Sequence, residues 1–248
     1  MFVYKQLTLV RNMTTSHSRL PTSSITPIST GNSNAYLILD GDRSILVDAG
    51  MPGMAGRILA KARNAGIRPQ DIGLIVLTHS HIDHVGSLFA LKKATEAQVL
   101  IHAMEADHIR KGHSPFPAGT NRFSRVISFL GQRLLSRLVN FTPTEPDQIV
   151  TKKCDLRPLG FQGELLHTPG HSCGSICLLL EEGTALAGDT VFGIFPNSAF
   201  PPFAENVQEL LSSWHLLLSA GCQEFLPGHG RPVSRALLQS SYDKLRKQ

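Results

Sequence analysis

The chain has 248 residues, of which 42% are hydrophobic and 17% charged, as is usual for a globular domain. This length allows one well-buried α/β domain or, as the less favoured alternative, two small ones. No apolar run reaches the roughly 20 residues of a transmembrane helix, so no integral membrane segment is expected. The net charge of +5 indicates a mildly cationic surface.

The cysteines indicate the redox environment. Their spacing includes no C-x-x-C pair and suits neither a zinc knuckle nor a secreted disulfide framework, so we expect reduced thiols and a cytoplasmic location. The four are Cys154, Cys173, Cys177 and Cys222. Residues 1–23 contain cations, Ser and Thr but no acid. We interpret them as an N-terminal extension, although this composition faintly resembles a transit peptide, and residues 24–248 as the folded domain.

Strand and helix patterns alternate along the chain. The first half predicts strands at 24–28, 35–39 and 44–47, a helix at 54–65, a strand at 72–77, a helix at 85–93, a strand at 98–101 and a helix at 104–111. The second half predicts strands at 164–167, 176–180 and 184–187, a helix at 206–219, a strand at 224–226 and a helix at 234–247. This order predicts two packed β-sheets with helices outside.

Residues 114–146 depart from this alternation, and we interpret them as a helical insertion. Prolines and a glycine open the segment, and residues 125–139 then predict an amphipathic helix. Its apolar side chains are expected to face inward, with Arg133 and Arg137 outward. The apolar set is Val126, Ile127, Phe129, Leu130, Leu134, Leu135 and Leu138.

A dense polar cluster follows the predicted buried strand at 72–77. It contains His79, His81, Asp83 and His84. Packing alone does not explain it, because crowded imidazoles and a carboxylate at a buried position need a compensating cation. Three more candidate ligands each follow a predicted strand and a glycine, where a rigid sheet commonly builds a site. They are His171, Asp189 and His229.

The segment H-x-H-x-D-H, followed in order by His171, Asp189 and His229, resembles the metallo-β-lactamase superfamily over about residues 25–233. The resemblance implies an α/β fold, the αββα sandwich, and two metal ions. The implied ligands are His79, His81 and His171 for the first ion, Asp83, His84 and His229 for the second, and Asp189 as the bridge. Asp48, in Val47-Asp48-Ala49-Gly50, is similar to the family's early Asp, which supports the ligands from behind.

The implied chemistry is hydrolysis. Imidazole and carboxylate suit zinc, expected as two ions per chain, and also iron or manganese. A hydroxide bound between two metals would attack an ester, thioester or lactone, with Asp83 and Asp189 as catalytic residues that handle protons and metal spacing. The alternative is a mononuclear iron persulfide dioxygenase of the same fold. A non-catalytic relative is less favoured, because no ligand position is missing.

The insertion is the expected source of specificity. We expect it to lie over the metal groove as a lid, with Arg122 and Arg125 as candidate contacts to a small-molecule substrate, which this hypothesis takes to be anionic. The alternative is that these arginines only solvate one helix face. No nucleic acid is expected as a partner, because no strip of basic and aromatic residues accompanies the site. The sequence leaves the oligomeric state open.

Overall fold

Short apolar segments build two six-stranded sheets in the computed structural model, which describes residues 25–134 and 139–247. The first sheet contains, in spatial order, β1 (Ile25–Ser29), β2 (Asn34–Asp40), β3 (Arg43–Val47), β4 (Ile72–Val76), β5 (Gln98–His102) and β6 (Gln148–Val150). Its first two pairings are antiparallel and the other three are parallel. The edge strands are β1 and β6, and the parallel strands β4 and β5 lie in the buried interior.

The second sheet is also mixed. It contains, in chain order, β7 (Cys154–Asp155), β8 (Glu164–His167), β9 (Ile176–Leu179), β10 (Thr184–Gly188), β11 (Glu224–Pro227) and β12 (Val233–Ser234). Only β10 and β11 pair in parallel. The pairings β7–β8, β8–β9 and β9–β10 are all antiparallel, so β8, β10 and β11 run in the same direction.

Helices cover the outer face of each sheet. The helices are α1 (Ala55–Asn64), α2 (Ile82–Val85), α3 (Leu88–Thr95), α4 (Ala103–Lys111), α5 (Arg122–Leu134), α6 (Val207–Ser219) and α7 (Arg235–Leu245). Side chains alternate along each strand, so Leu37 and Leu46 face α1, α3 and α4, while Ile38 and Ile45 face the second sheet. Trp214 of α6 packs on the outer face of the second sheet. The result is four layers, αββα.

Two sequence predictions differ from the structure in detail. The helix predicted at 85–93 is divided, because α2 ends at Val85 and the backbone of Ser87 (φ −101°, ψ 8°) departs from helical geometry before α3 begins at Leu88. The short strands β6, β7 and β12 were not predicted, since two or three residues carry no readable alternation. All four cysteines are free of disulfides, and within the described residues no helix has the length and hydrophobicity to cross a bilayer.

The predicted burial of the insertion helix is wrong. Val126, Ile127, Phe129 and Leu130 of α5 are exposed, and the small residues Ser124, Ser128 and Gly131 face the protein instead. Val139 is not helical, and the predicted positions 135–138, which include Leu135, Arg137 and Leu138, lie outside the described residues.

Candidate metal centre

The seven predicted ligands meet where the two sheets join. β3 and β4 are parallel and end at one edge of the first sheet, and the loop after β4 carries His79 and His81 into α2. β8, β10 and β11 run in one direction, and their ends carry His171, Asp189 and His229 to the same place. Asp83 and His84 complete the group from α2.

Three imidazoles form one half of the site. The ring centroids of His79 lie 4.7 Å from those of His81 and His171. His81 Nδ1 lies 2.9 Å from His171 Nε2. One nitrogen of each ring lies within 4.8 Å of the other two, which is close enough for a single ion to contact all three.

Carboxylates enter the other half of the site. His229 Nε2 lies 3.2 Å from Asp83 Oδ2 and 3.2 Å from Asp189 Oδ2. His84 Nε2 lies 3.4 Å from Asp189 Oδ1, and His171 Nε2 lies 3.6 Å from Asp189 Oδ2. The carboxylate of Asp189 therefore faces both halves.

Several buried polar atoms of this cluster have no hydrogen-bond partner. They are Nε2 of His79, Nε2 of His81, Nε2 of His84 and Oδ1 of Asp189. Buried polar atoms are almost always paired, so a group of four without partners around one space calls for an explanation. Lone pairs of imidazole nitrogen and carboxylate oxygen are the donors that a divalent transition metal binds. These residues therefore fit a metal centre.

In three of these histidines, the ring nitrogen that faces away from the cluster contacts a neighbouring oxygen atom. His84 Nδ1 contacts Asp48 Oδ2 at 2.8 Å, His171 Nδ1 contacts the Phe203 carbonyl at 3.0 Å, and His229 Nδ1 contacts the Asn32 carbonyl at 2.7 Å. Each contact turns Nε2 of its ring towards the shared space. This is the arrangement that orients histidine ligands of metals.

Asp48 acts from the end of β3. Its backbone has φ of 64°, which is uncommon for a residue other than glycine. The side chain is buried and accepts hydrogen bonds from the Thr78 amide at 2.8 Å and from the Thr78 hydroxyl. Asp48 thus joins the start of the ligand loop to the ring of His84, and its role in supporting the ligands stays a prediction.

The five histidines of the cluster fall into two classes by the direction in which burial and neighbouring charges shift their pKa values. Burial, reinforced by neighbouring imidazoles, lowers the pKa of His79 well below its usual range and that of His81 to about 3. Burial also lowers the pKa of His171. These three rings are uncharged at neutral pH and have lone pairs free for a cation.

The other two histidines behave oppositely. Burial acts to lower the pKa of His229, but the carboxylates of Asp189 and Asp83 outweigh it and raise the pKa to about 10. The pKa of His84 is raised in the same way, mainly by Asp189. Burial acts to raise the pKa of Asp83, but His84 and His229 lower it to about 2. The carboxylates thus favour positive charge in this half of the site.

One buried residue of this region was missed by sequence reasoning. Glu105 of α4 accepts hydrogen bonds from the Ser80 amide at 3.1 Å and the Ser80 hydroxyl, and from the Ser172 hydroxyl at 2.6 Å and the Gly174 amide at 3.0 Å. Burial acts to raise its pKa, but the hydroxyls of Ser172 and Ser80 outweigh burial and lower it. Glu105 therefore ties the loop that carries His79 and His81 to the loop that carries His171. A single acid inside a helix gives no sequence signal for such a role.

A cavity of about 200 Å³ opens beside the cluster. Its polar end consists of the candidate ligands His81, Asp83, His171, Asp189 and His229. The remaining lining residues are Asn32, Ile82, Ser114, Pro115, Phe116, Pro117, Val139, Phe192 and Phe203. The insertion thus supplies part of an apolar wall. Arg122 and Arg125 are exposed on α5 and are not among the lining residues, so their contact with substrate stays a prediction.

Fold and site together define a metallo-hydrolase. The chain belongs to the metallo-beta-lactamase superfamily, whose family model matches residues 28–229. It is 28% identical to the probable metallo-hydrolase MJ0888 of Methanocaldococcus jannaschii, over 86% of this chain and 94% of that protein. It is also 28% identical to the acyl-coenzyme A thioesterase MBLAC2 of Gallus gallus, over 79% of this chain and 72% of that protein.

Solved structures agree on the fold. The B3 metallo-beta-lactamase BLEG-1 has a TM-score of 0.66 at 21% identity, covering 88% of this chain and 96% of its own. TTHA1623, solved in a di-iron-bound form, has a TM-score of 0.64 at 24% identity, covering 87% of this chain and 98% of its own. The predicted αββα fold is confirmed. The family and the His/Asp cluster support a metal-dependent hydrolase.

Proposed function

We propose that the chain is a dinuclear metal hydrolase that cleaves a thioester, or a related ester or lactone. The observation that carries the proposal is the junction of two donor groups at Asp189, directly beside an apolar cavity. The groups are His79, His81 and His171 on one side, and Asp83, His84 and His229 on the other. We assign one ion to each group and propose zinc for both, with iron or manganese as alternatives.

The metal ions, when bound, would supply Lewis acidity and an activated water. The protein contributes the surroundings. Asp189 has carboxylate atoms facing both donor groups, which suits a bridge that sets the spacing between ions. We assign to Asp83, whose Oδ2 lies 3.2 Å from His229 Nε2 and whose lowered pKa keeps it ionised, the role of accepting a hydrogen bond from the reacting water. Asp48 keeps the ring of His84 in one orientation.

The cavity wall supports an acyl substrate. Phe116, Phe192 and Phe203 line it beside the polar cluster, and such a surface favours an apolar acyl group over a sugar or a nucleotide. The similarity to an acyl-coenzyme A thioesterase supports the same class of substrate. The phenylalanines would bind the acyl chain and exclude water from the reacting carbonyl.

Metal content and a substrate panel test this proposal together. The protein is purified without added metal, analysed for elements, and assayed with acyl thioesters of increasing chain length, aryl esters and lactones. We expect about two metal ions per chain and thioester cleavage that a chelator abolishes. Asp189→Asn should lose this activity, whereas the matched control Asp42→Asn, in an exposed hairpin turn, should retain it.

The alternative gives a different result. A mononuclear iron persulfide dioxygenase would contain about one iron per chain, consume oxygen with persulfides and leave every acyl substrate intact. The second donor group around Asp83, His84 and His229 favours two ions over one. One iron with oxygen uptake would reject the hydrolase proposal.

A further inference from the structure

The outer surface of α5 is apolar in a way that the catalytic site does not require. Phe123 is 76% exposed, Phe129 60% and Val126 56%, and Ile127 and Leu130 are exposed as well. Five large apolar side chains on one 13-residue helix exceed the scattered single residues that ordinary surfaces show. This surface, defined by these five residues, is referred to below as the α5 apolar surface.

The orientation of α5 is fixed by its inner side. Ser128 donates a hydrogen bond to the Pro117 carbonyl, and a side chain at Gly131 would overlap the ring of Phe116. Asn121 caps the first turn by accepting from the Ser124 amide at 2.9 Å. Small residues therefore allow the helix to approach the protein closely, and the large apolar residues are directed outward.

Charge on the helix indicates what the α5 apolar surface contacts. Arg122, Arg125 and Arg133 are exposed on the same helix, and residues 109–144 contain no Asp or Glu. Arginine stems pack on apolar surface while their guanidinium groups reach outward, and Arg133 lies 6.0 Å over the ring of Phe129. An apolar face bordered by cations is the composition of helices that lie in the interface of an anionic bilayer.

Two other occupants of the α5 apolar surface, a second copy of the chain and residues 1–23, are positively charged like α5 itself. A second copy docked through the same helix would bring two sets of arginines together, which is unfavourable. Residues 1–23 also contain cations and no acid. An anionic lipid surface complements both the apolar side chains and the arginines.

We propose that α5 docks this protein peripherally on an anionic membrane surface. The five apolar side chains would enter the region between headgroups and acyl chains, and Arg122, Arg125 and Arg133 would contact lipid phosphates. Since α5 rests on Phe116 and Pro117, which line the metal cavity, docking would place the cavity beside the lipid surface. The proposal is independent of the reaction assigned to the metal centre.

Vesicle sedimentation tests this docking with the full-length protein. We expect binding to vesicles that contain phosphatidylglycerol, weak binding to phosphatidylcholine alone, and weaker binding in high salt because salt screens the arginines. Removing arginines in R122Q/R125Q/R133Q should lower the partition coefficient about fivefold for each arginine. F123S/F129S should lower it at least about tenfold. The matched control L216S, at an exposed position on α6, should bind like the wild type.

A second measurement keeps the result interpretable if a variant folds poorly. F129W reports the helix directly, since the single native tryptophan, Trp214, is fully buried and gives a constant background. Anionic vesicles should shift its emission to the blue. Emission that is already blue without lipid and does not change would show that the chain covers its own surface. Dimerisation abolished by F123S/F129S would assign the surface to a second copy. Equal binding of all variants would place the contact elsewhere. Each of these three outcomes overturns the proposal.

Discussion

Replacing Glu105 by glutamine should weaken the connection between the loop that carries His79 and His81 and the loop that carries His171. Each carboxylate oxygen accepts from one backbone amide and one serine hydroxyl: Oε2 from Ser80, and Oε1 from Ser172 and Gly174. A glutamine offers only one oxygen. In either orientation its amide nitrogen faces a backbone N–H, which is left without an acceptor.

The expected loss of stability in Glu105→Gln follows from these hydrogen bonds. A buried N–H without an acceptor costs about 1–3 kcal/mol, and a serine hydroxyl that rotates to another partner adds about 1 kcal/mol. We therefore expect Glu105→Gln to lower the free energy of unfolding of the metal-free protein by about 2–4 kcal/mol. Metal affinity should also fall, because His79, His81 and His171 lose their common support.

Urea unfolding and competition with a chromophoric chelator measure these two quantities. The matched control is Asp107→Asn on the same helix, where the carboxylate is exposed and pairs with Arg110 and Lys111. We expect this control to change stability by less than about 0.5 kcal/mol. If Glu105→Gln unfolds like the control and binds metal as tightly as the wild type, the assigned role of Glu105 is wrong.

Three further changes probe the other side of the site. Asp48→Ala should weaken metal binding about 10- to 100-fold in the same competition assay, because the ring of His84 loses its orienting partner; unchanged affinity would count against this support. Gly228→Ala should reduce metal content in elemental analysis, because the new Cβ would overlap Asp189 Oδ1, and full occupancy would contradict this packing. The raised pKa of His229, about 10, predicts that chelated protein is most stabilised by this group below pH 6.5 and loses that stabilisation as pH rises towards 10. Thermal melts with chelator should show the loss, His229→Gln should flatten it, and an equally steep slope in that variant would refute it.

The sequence indicated which candidate ligands lie together better than it indicated their surroundings. His171, Asp189 and His229 could be placed because each follows an apolar strand and a glycine, and strands that run in one direction end at one edge. Asp48 was found only through its resemblance to a family motif. Glu105 was missed, because its partners Ser80 and Ser172 are distant in sequence and their contacts exist only after folding.

The error on α5 has a physical cause. Helical periodicity shows which residues share a face, but not which face the protein covers. The spacing of Ser124, Ser128 and Gly131 at i, i+4 and i+7 was the available signal, since small residues permit close approach of a helix. The larger apolar residues were assumed to be buried because burial is their usual state.

The position of the site between the two sheets determines when it can form during folding. The first sheet and α2 supply His79, His81, Asp83 and His84, whereas His171, Asp189 and His229 come from the second sheet. Neither sheet has a full set, and the last candidate ligand follows β11. During synthesis, the site can close only after the chain as far as His229 has left the ribosome and the two sheets have met. A bound ion would then hold the two sheets together. Metal retention would report whether the two sheets had packed against each other.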